Sequence, residues 1–353
     1  MNVNKTINDF FESWKNMDYK KLDNILLSNF NFRDRLLVSH FGYKDSFEYI
    51  NSRVLKSYNI INIVDGKNMI FVDIKVLFNN NGQLDNELFH YKFTLINAKL
   101  KNIFEEIIDD SLKRIKCIVS YDGSDFFGYQ KQVDVRSIQE EIETAIFNIS
   151  GETLKIHSSG RTDSKVHALN QVFHFDTNSK IDSAKWENVL NSYLPKSILI
   201  KKSYIVPQSF HSRYDTVSKE YMYIINTNEY NPINRNYEWF KSGIDVGIFE
   251  IELNKIVGVH DFRTFAKVAK NVDTIREIYS VKLEVTKNQI FIYIKGSGFL
   301  RYMVRNIVGA LVDISSGVTS MDMNKLIKKE NRNFAKNTAF AGGLYLYRVE
   351  YLK

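Results

Sequence analysis

The sequence predicts an α+β protein in which a small N-terminal domain precedes a larger, two-lobed body on a mainly antiparallel plan. Three observations indicate this class. The 353 residues fit two or three domains rather than one compact core. Helical spacing of apolar residues comes first, and strand-like runs follow it. After residue 112, strand–helix–strand units occur twice, which favours an α+β body over a parallel Rossmann sheet.

The N-terminal part, residues 1–110, is expected to begin with helices. One apolar helical face is formed by residues three and four apart, namely Ile7, Phe10, Phe11 and Trp14. A second short helix is predicted from Leu22 to Leu27, and Phe47, Ile50 and Leu55 favour a third. Strands are predicted at 60–64, 69–78 and 88–96, with a turn signal at 65–68 between the first two. The acidic residues Glu105, Glu106, Asp109 and Asp110 then mark a domain boundary.

The body begins with a strand at 113–120. Ser137 is predicted to cap a helix that runs to Ile149, with Glu140 and Glu141 in its favourable first turn. A second helix is predicted at 299–314 from the spacing of its apolar residues. The remaining strands are predicted at 153–158, 170–176, 198–206, 219–226, 278–285, 289–295 and 343–351.

Composition excludes several classes of protein. Hydrophobic residues make up 44% and charged residues 25%, which excludes a wholly disordered chain. No run of about 18 apolar residues is present, so no membrane span is expected, and the first residues lack the apolar core of a signal peptide. The single cysteine, Cys117, excludes an intrachain disulfide and agrees with a cytoplasmic location.

The positive charge is unevenly distributed. Residues 1–110 carry 14 basic and 15 acidic side chains, a net charge of −1, whereas residues 111–353 carry 34 and 26, a net charge of +8. A lysine-rich solvated surface would explain the total of +7, but it explains the asymmetry less well. The body is therefore the place to expect a nucleic-acid surface.

The densest group of polar residues lies between two predicted strands, at 158–168. Arg161 and Asp163 are two residues apart, so in an extended segment both face the same way, and the guanidinium is expected to keep the pKa of the carboxyl low. A surface ion pair is the plain alternative. A metal site on His157, Asp163 and His167 has no usual ligand spacing, and a hydrolase triad of Ser159, His167 and Asp163 lacks a nucleophile elbow.

This segment is similar to the signature of a known family. Gly160-Arg161-Thr162-Asp163, followed by Val166-His167-Ala168, resembles the signature of the tRNA pseudouridine synthase A family. Further segments resemble family motifs in the same order, over residues 112–353: 121–130, Phe210-His211-Ser212-Arg213-Tyr214, Lys219-Glu220-Tyr221-Met222-Tyr223, 260–265 and 298–309. Five ordered motifs make a chance match very unlikely.

The resemblance implies the fold and the reaction. Two ferredoxin-like lobes, at 111–225 and 226–353, would form a basic cleft. The family isomerises uridine to pseudouridine at positions 38–40 of the tRNA anticodon stem-loop, without cofactor or metal, and is homodimeric. Asp163 matches the family's nucleophile, which attacks either the base or the ribose. The rival hypothesis is a catalytically inactive tRNA-binding or chaperone protein that keeps the fold.

The resemblance also implies roles for three arginines and a tyrosine. Arg161 would steady the loop and occupy the space that the flipped uridine leaves. Tyr221 would give the base a stacking platform, and its hydroxyl could assist removal of the carbon-5 proton. Arg301 and Arg305, four apart on the predicted helix, share a face; Arg305 would pair with Asp163, and Arg301 would meet phosphate.

Three further residues complete the predicted substrate contacts, namely His167, Lys165 and Arg213. His167 is also expected to fasten the loop by hydrogen bonds. Most relatives have glycine where this chain has Lys165, so a positive φ or a close approach of RNA is expected there. The stretch 339–343 lacks the proline usual in the family, and Tyr129 replaces a common tryptophan.

The N-terminal domain shows a looser similarity. The pattern from Phe10 through Leu22 to Phe30 resembles the cone-shaped α+β fold of nuclear transport factor two and its SnoaL-like relatives. No catalytic motif accompanies it, so its role stays open between a small-molecule module and a dimerisation module.

Overall fold

The computed structural model describes residues 3–33, 39–40, 42–66, 69–80, 83–96, 99–107, 112–267 and 272–351. The chain forms two compact units. Unit 1 comprises Met1–Lys113 together with Pro207–Tyr214, and unit 2 comprises Arg114–Val206 together with Asp215–Lys353.

Unit 1 is helical at its start and then forms a sheet. Its helices are α1 (Val3–Lys15), α2 (Tyr19–Ile25) and α3 (Gly42–Ser52). Its strands are β1 (Leu26–Arg33), β2 (Ser39–His40), β3 (Val54–Gly66), β4 (Met69–Asn80), β5 (Gln83–Ile96) and β6 (Lys99–Ile107). Over the described residues the sheet has the order β2-β1-β6-β5-β4-β3, in which β1 and β6 run parallel and the other pairs antiparallel. The α+β class predicted for this part is therefore confirmed.

The predicted face of α1 forms the core of unit 1. Ile7, Phe10 and Phe11 are fully buried and Trp14 is nearly so. The two phenylalanines contact Phe93 of β5 edge to face, with ring centroids 5.7 and 6.0 Å apart. Such aromatic pairs add about 0.5–1.5 kcal/mol beyond the burial of their area.

Unit 2 contains the remaining helices and strands. Its helices are α4 (Ile138–Ser150), α5 (Trp186–Tyr193), α6 (Val246–Asn254), α7 (Met303–Ser315) and α8 (Met323–Ile327). Its strands are β7 (Lys113–Tyr121, whose first residue is grouped with unit 1), β8 (His157–Ser158), β9 (His167–Thr177), β10 (Ile198–Val206), β11 (Thr216–Asn226), β12 (Trp239–Phe240), β13 (Gly258–Asp261), β14 (Ile275–Val285), β15 (Gln289–Gly296) and β16 (Leu344–Tyr351).

One mainly antiparallel sheet organises unit 2. In the part of the chain that the structure describes, its order is β10-β7-β9-β16-β11-β15-β14-β13, with β12 beside β11 and β8 beside β9. The C-terminal strand β16 lies between β9, with which it runs parallel, and β11. Strands of both predicted lobes thus share a sheet, and the division at 225/226 stays a prediction.

Local signals gave the helix α4 correctly. The Ser137 side chain accepts a hydrogen bond from the backbone N–H of Glu140, as an N-cap serine should. At the other end, Gly151 adopts the left-handed conformation that ends many helices.

Several predicted boundaries were wrong. Leu26 begins β1 and pairs with Leu100 of β6, and Leu55 of β3 pairs with Phe78 of β4, so strand pairing replaces the helix predicted at each. The strand predicted at 153–158 is reduced to its last two residues. Strands β1, β2, β6, β12 and β13 and helices α5, α6 and α8 were missed. Part of the predicted turn at 65–68 and the acidic pair 109–110 lie outside the described residues.

Candidate active site

Asp163 lies in the loop between β8 and β9, and Gly128 packs against the backbone of that loop. Gly128 has φ +101°, and a Cβ there would lie 2.9 Å from the carbonyl oxygen of Thr162. The next residue, Tyr129, donates its backbone N–H to that carbonyl at 3.2 Å. Only glycine allows this approach, so the motif around Tyr129 positions the loop.

Two arginines face the Asp163 carboxylate. Nη1 of Arg305 lies 3.7 Å from Oδ2, and Nε of Arg301 lies 4.0 Å from Oδ1. The Asp163 and Arg305 side chains are only 21% and 15% exposed, whereas Arg301 is 62% exposed. Burial raises the pKa of Asp163 above its ordinary value of 3.8, and the two arginines, Arg305 foremost, offset part of that rise.

The expected partnership of Arg161 with Asp163 was wrong. Arg161 is exposed, and its guanidinium makes no ion pair or hydrogen bond with any residue that the structure describes. The expected low pKa of Asp163 was also wrong, because burial outweighs the arginines. Local spacing in an extended segment indicated the wrong arginine, since the loop turns its two side chains into different surroundings.

Arg305 is fixed by the chain segment that precedes β16. Its Nε donates to the carbonyl of Ala339 at 2.8 Å, and the N–H of Ala339 donates to the carbonyl of Arg305 at 3.1 Å. This reciprocal pair holds both the backbone and the guanidinium of Arg305. Close packing continues one helical turn later, where a Cβ at Gly309 would lie 2.3 Å from the carbonyl oxygen of Asn337.

Arg301 does not lie on the helix as predicted. Helix α7 begins at Met303, because Tyr302 takes a left-handed conformation at φ 66° and interrupts the helical path. Arg301 lies in the preceding turn, where its Nη2 donates to the Tyr302 hydroxyl at 3.1 Å. The two arginines therefore converge on Asp163 from a turn and from a helix.

Tyr221 lies on β11 and is 9% exposed. Its ring meets that of Phe299 edge to face, with centroids 4.9 Å apart. Burial raises the pKa of its hydroxyl, and the neighbouring Tyr121 and Asp163 raise it further. The tyrosine is consequently a neutral phenol at neutral pH, and it is close enough to Asp163 for the two to interact.

Comparison with known proteins agrees with this geometry. The sequence profile of the family described as "tRNA pseudouridine synthase" matches residues 117–215 and 253–352. A tRNA pseudouridine synthase A of Brevibacillus brevis is 38% identical over 244 residues, covering 68% of this chain and all of that protein. The tRNA pseudouridine synthase A of Bacillus licheniformis is 39% identical over 244 residues, covering 67% of this chain and 99% of that protein.

The chain belongs to the tRNA pseudouridine synthase family. It is accordingly an isomerase that acts on uridine in tRNA, and the predicted family is confirmed. Among solved structures, an NTF2-like protein from Cytophaga hutchinsonii matches 31% of this chain and 91% of its own, at 14% identity and a TM-score of 0.26. At that score the similarity does not assign the fold of unit 1, and the predicted resemblance to nuclear transport factor two stays a prediction.

In this family member His167 is a structural residue of the loop. It is 2% exposed; the N–H of Gly123 donates to Nδ1 at 3.1 Å, and Nε2 lies 3.0 Å from the carbonyl of Asn236. Burial lowers the pKa of the ring, which fits a neutral imidazole that accepts at Nδ1 and donates at Nε2. The fastening role is supported, whereas the predicted contact with substrate is not, since both nitrogens are engaged within the protein.

The contacts of Ser159 do not support the hydrolase triad. The Ser159 hydroxyl donates to Oε1 of Gln171 at 2.5 Å, so it does not donate to His167 as a hydrolase triad requires. Within the described ranges, no group of three His, Cys, Asp or Glu side chains could hold a metal ion. The described helices include none that is long and apolar enough to cross a membrane.

Lys165 adopts the left-handed conformation that a glycine would favour. Its φ is 65°, and its side chain is exposed two residues after Asp163. Arg213, also exposed, lies in the segment Pro207–Tyr214 of unit 1, with its guanidinium carbon 5.8 Å from the Tyr214 ring centroid. The substrate contacts expected of Lys165 and Arg213 stay predictions.

Sequence reasoning missed the residues that support the site. Phe299 packs on Tyr221, Ala339 holds Arg305, and Lys219 donates to the Ser159 carbonyl at 2.5 Å. Lys219 carried a usable signal, because it lies two residues before Tyr221 on a predicted strand and so shares its face. Ala339 carried no such signal, since its contribution is a backbone carbonyl.

Proposed function

We propose that this enzyme isomerises uridine to pseudouridine at positions 38–40 of the tRNA anticodon stem-loop, with Asp163 as nucleophile. The observation that carries the proposal is a half-buried carboxylate held against Arg305 on a loop whose sequence matches the family signature. A carboxylate is a weak nucleophile in water, and partial burial beside a fixed cation is what activates it.

The reaction is balanced without a cofactor. The bond between N1 of uracil and C1′ of ribose breaks, the base turns, and a bond from C5 to C1′ forms. The proton on C5 is released and N1 gains a proton, so the product is an isomer of the substrate. Asp163 forms a temporary bond either to the base or to C1′ of ribose and is released as a carboxylate when the new bond is complete.

Four side chains would assist Asp163. Arg305 offsets part of the rise that burial causes in the pKa of Asp163, and so favours the ionised carboxylate. Arg161, exposed and without a partner among the described residues, is available to fill the gap left by the flipped uridine. Arg301, mostly exposed, can exchange its distant contact with Asp163 for an RNA phosphate. Tyr221 provides the aromatic surface beside the base, worth about 1–3 kcal/mol.

The raised pKa of Tyr221 changes the expectation for its hydroxyl. A neutral phenol is a poor acceptor for the proton on C5, so we propose the ring, rather than a phenolate, as the useful part. Tyr221→Phe should then keep most of the activity and of the affinity for RNA, whereas Tyr221→Ala should lose about 1–3 kcal/mol of binding free energy. If Tyr221→Phe is as inactive as Asp163→Asn, the Tyr221 hydroxyl takes part in the reaction and the proposal about the ring is refuted.

Tritium release tests the function directly. Transfer RNA labelled at C5 of uridine should release tritium with the intact chain and not with Asp163→Asn. Transfer RNAs with uridine at only one of positions 38, 39 or 40 locate the site, and one with cytidine at all three is the control. Equal release from both proteins would refute Asp163 as nucleophile. Tight binding of tRNA with no release from any substrate would support the inactive tRNA-binding alternative.

We also propose, from the family resemblance, that the enzyme is a cytoplasmic homodimer. Sedimentation equilibrium of the full chain should give about twice the 41.3 kDa of one copy, and a single-chain mass would refute the dimer. Cell fractionation tests the location.

We propose too that residues 1–110 form a separate domain ahead of lobes at 111–225 and 226–353. Limited proteolysis should then leave a stable fragment that begins near residue 111, and uniform digestion would contradict it.

A further inference from the structure

We infer that β11 aligns the two partners of the active site, with Lys219 positioning the Asp163 loop and Tyr223 positioning Arg305. This inference rests on the proposed role of Asp163 and adds two positioning residues to it. Both flank Tyr221 on β11.

The alternation of β11 places the three residues on one face. Lys219, Tyr221 and Tyr223 are each two apart, and the pairing of β11 with β15 runs without a register shift from Lys219 to Asn226. On its other side β11 is hydrogen-bonded to β16, where the pairing shifts register between Glu220 and Tyr221. An interior strand of this kind is a rigid base for the side chains that it carries.

Lys219 holds the beginning of the loop between β8 and β9, which carries Asp163. Its Nζ donates to the carbonyl of Ser159 at 2.5 Å, a charge-assisted hydrogen bond. A Cβ at Gly160 would lie 3.1 Å from that Nζ, so the loop approaches the ammonium closely at this glycine. Gln171 adds a second anchor, because its Nε2 donates to the carbonyl of Gly160 at 2.9 Å. The loop is thus fixed three and four residues before Asp163.

Tyr223 holds the segment that fixes Arg305. Its hydroxyl donates to the carbonyl of Phe340 at 2.8 Å, and the side chain is fully buried. A Cβ at Gly343 would lie 2.7 Å from Cζ of the tyrosine, so the chain packs directly on the ring. The residue before Phe340 is Ala339, which binds Arg305 through both its N–H and its carbonyl.

One strand therefore sets both sides of the 3.7 Å approach between Asp163 and Arg305. Loss of either anchor lets one partner move while the other stays fixed. Displacements of about 1 Å at a catalytic group can cost on the order of 100-fold in rate. The effect should fall on kcat, since neither Lys219 nor Tyr223 is proposed to touch RNA.

The test uses Lys219→Met and Tyr223→Phe in the full chain, because each removes one polar group and keeps most of the side-chain volume. Lys282→Met and Tyr293→Phe are the controls. Lys282 is exposed on β14 and Tyr293 is half-buried on β15, and their side chains contact Glu284 and each other. We expect kcat to fall about 10- to 100-fold in both variants, with KM within about threefold of wild type. Lys219→Arg should recover part of the loss by restoring a cationic donor.

A second readout does not depend on turnover. The carboxyl carbon of Asp163 can be followed by NMR in protein labelled at aspartate, with the signal assigned by its absence in Asp163→Asn. Because Arg305 lowers the pKa of Asp163, both variants should titrate at higher pH than wild type, and the controls should not. A double variant should lose little more than either single one, because each already disrupts the same pair.

The outcomes are separable. Variants that keep wild-type kcat and an unchanged Asp163 titration would overturn the inference, as would losses that appear only in KM. If Lys219→Met unfolds, Lys219→Gln takes its place. If Tyr223→Phe unfolds, the Lys219 variant alone decides the inference. A wild-type chain that releases no tritium would refute the proposed function, while the titration would still decide whether Lys219 and Tyr223 position the pair.

Discussion

Replacing Lys165 with glycine should stabilise unit 2 and weaken RNA binding in the same protein. Lys165 lies in the loop between β8 and β9 at φ 65°, where an L-residue brings its Cβ too close to the following carbonyl oxygen. Its backbone N–H donates to the carbonyl of Phe126 at 3.2 Å, and any residue at this position keeps that bond. The exposed side chain has no hydrogen bond or ion pair within the described part of the chain, so its removal costs little packing.

The magnitude follows from two opposing contributions. The left-handed conformation costs a non-glycine residue roughly 1–2 kcal/mol. Glycine loses about 0.5–1 kcal/mol through the greater conformational freedom of the unfolded chain. The balance is a gain of about 0.5–1 kcal/mol in the free energy of unfolding, or roughly 1–4 °C in Tm for a unit of this size. Lys165→Ala keeps the strain and should leave Tm nearly unchanged.

The assay combines thermal unfolding with RNA binding at several salt concentrations. If the ammonium contacts a phosphate, glycine and alanine variants should both lower the slope of log K against log salt by about 0.7–0.9, and Lys165→Arg should not. Equal Tm values for Lys165→Gly and Lys165→Ala would refute the strain. Salt slopes equal to that of wild type would refute the phosphate contact.

Three further predictions concern the same site. Arg305→Met removes a charge that lowers the pKa of Asp163, so the acidic limb of the kcat/KM profile should move to higher pH; an unmoved limb would contradict the pairing. Asp163→Asn should raise Tm at pH 7, because a carboxyl with a raised pKa destabilises the folded state when ionised. The gain should shrink as the pH falls towards 3.8, and a lower Tm at pH 7 would contradict it. Gly128→Ala should cost about 1–3 kcal/mol and reduce kcat, since its Cβ meets Thr162. Gly151→Ala, which has a positive φ but open space, is its control, and equal costs would refute the clash.

Local signals in the sequence predicted local structure well. Ser137 and Glu140 formed the expected cap, and the apolar face of α1 became the core of unit 1. Where pairing with a distant strand competed with helical spacing, the local signal failed. Leu26 and Leu55 both fit a helical face, yet each gains strand hydrogen bonds to residues far along the chain.

In the candidate site, too, the residues were predicted correctly where a local motif marks them and wrongly where tertiary packing decides their contacts. The motif located Asp163, Tyr221 and Arg305, but residue spacing chose the wrong neighbour for the carboxylate. Arg161 is two residues from Asp163 and points elsewhere, whereas Arg305 is brought to it by tertiary packing. The sequence could not show the left-handed turn at Tyr302 either, because tyrosine rarely adopts that conformation.

Burial explains why the pKa of Asp163 is shifted upward, although a downward shift was expected. A carboxylate beside a solvated arginine at the surface would titrate below its ordinary value. Asp163 lies instead in a partly dry site, where desolvation is the largest influence and Arg305 compensates for only part of it. A nearby fixed cation favours the ionised form of such a carboxylate, so the reactivity proposed for Asp163 depends on how accurately Arg305 is held. If Asp163 reacts as proposed, the residues that hold Arg305 and the loop therefore matter for catalysis as well as the reacting carboxylate.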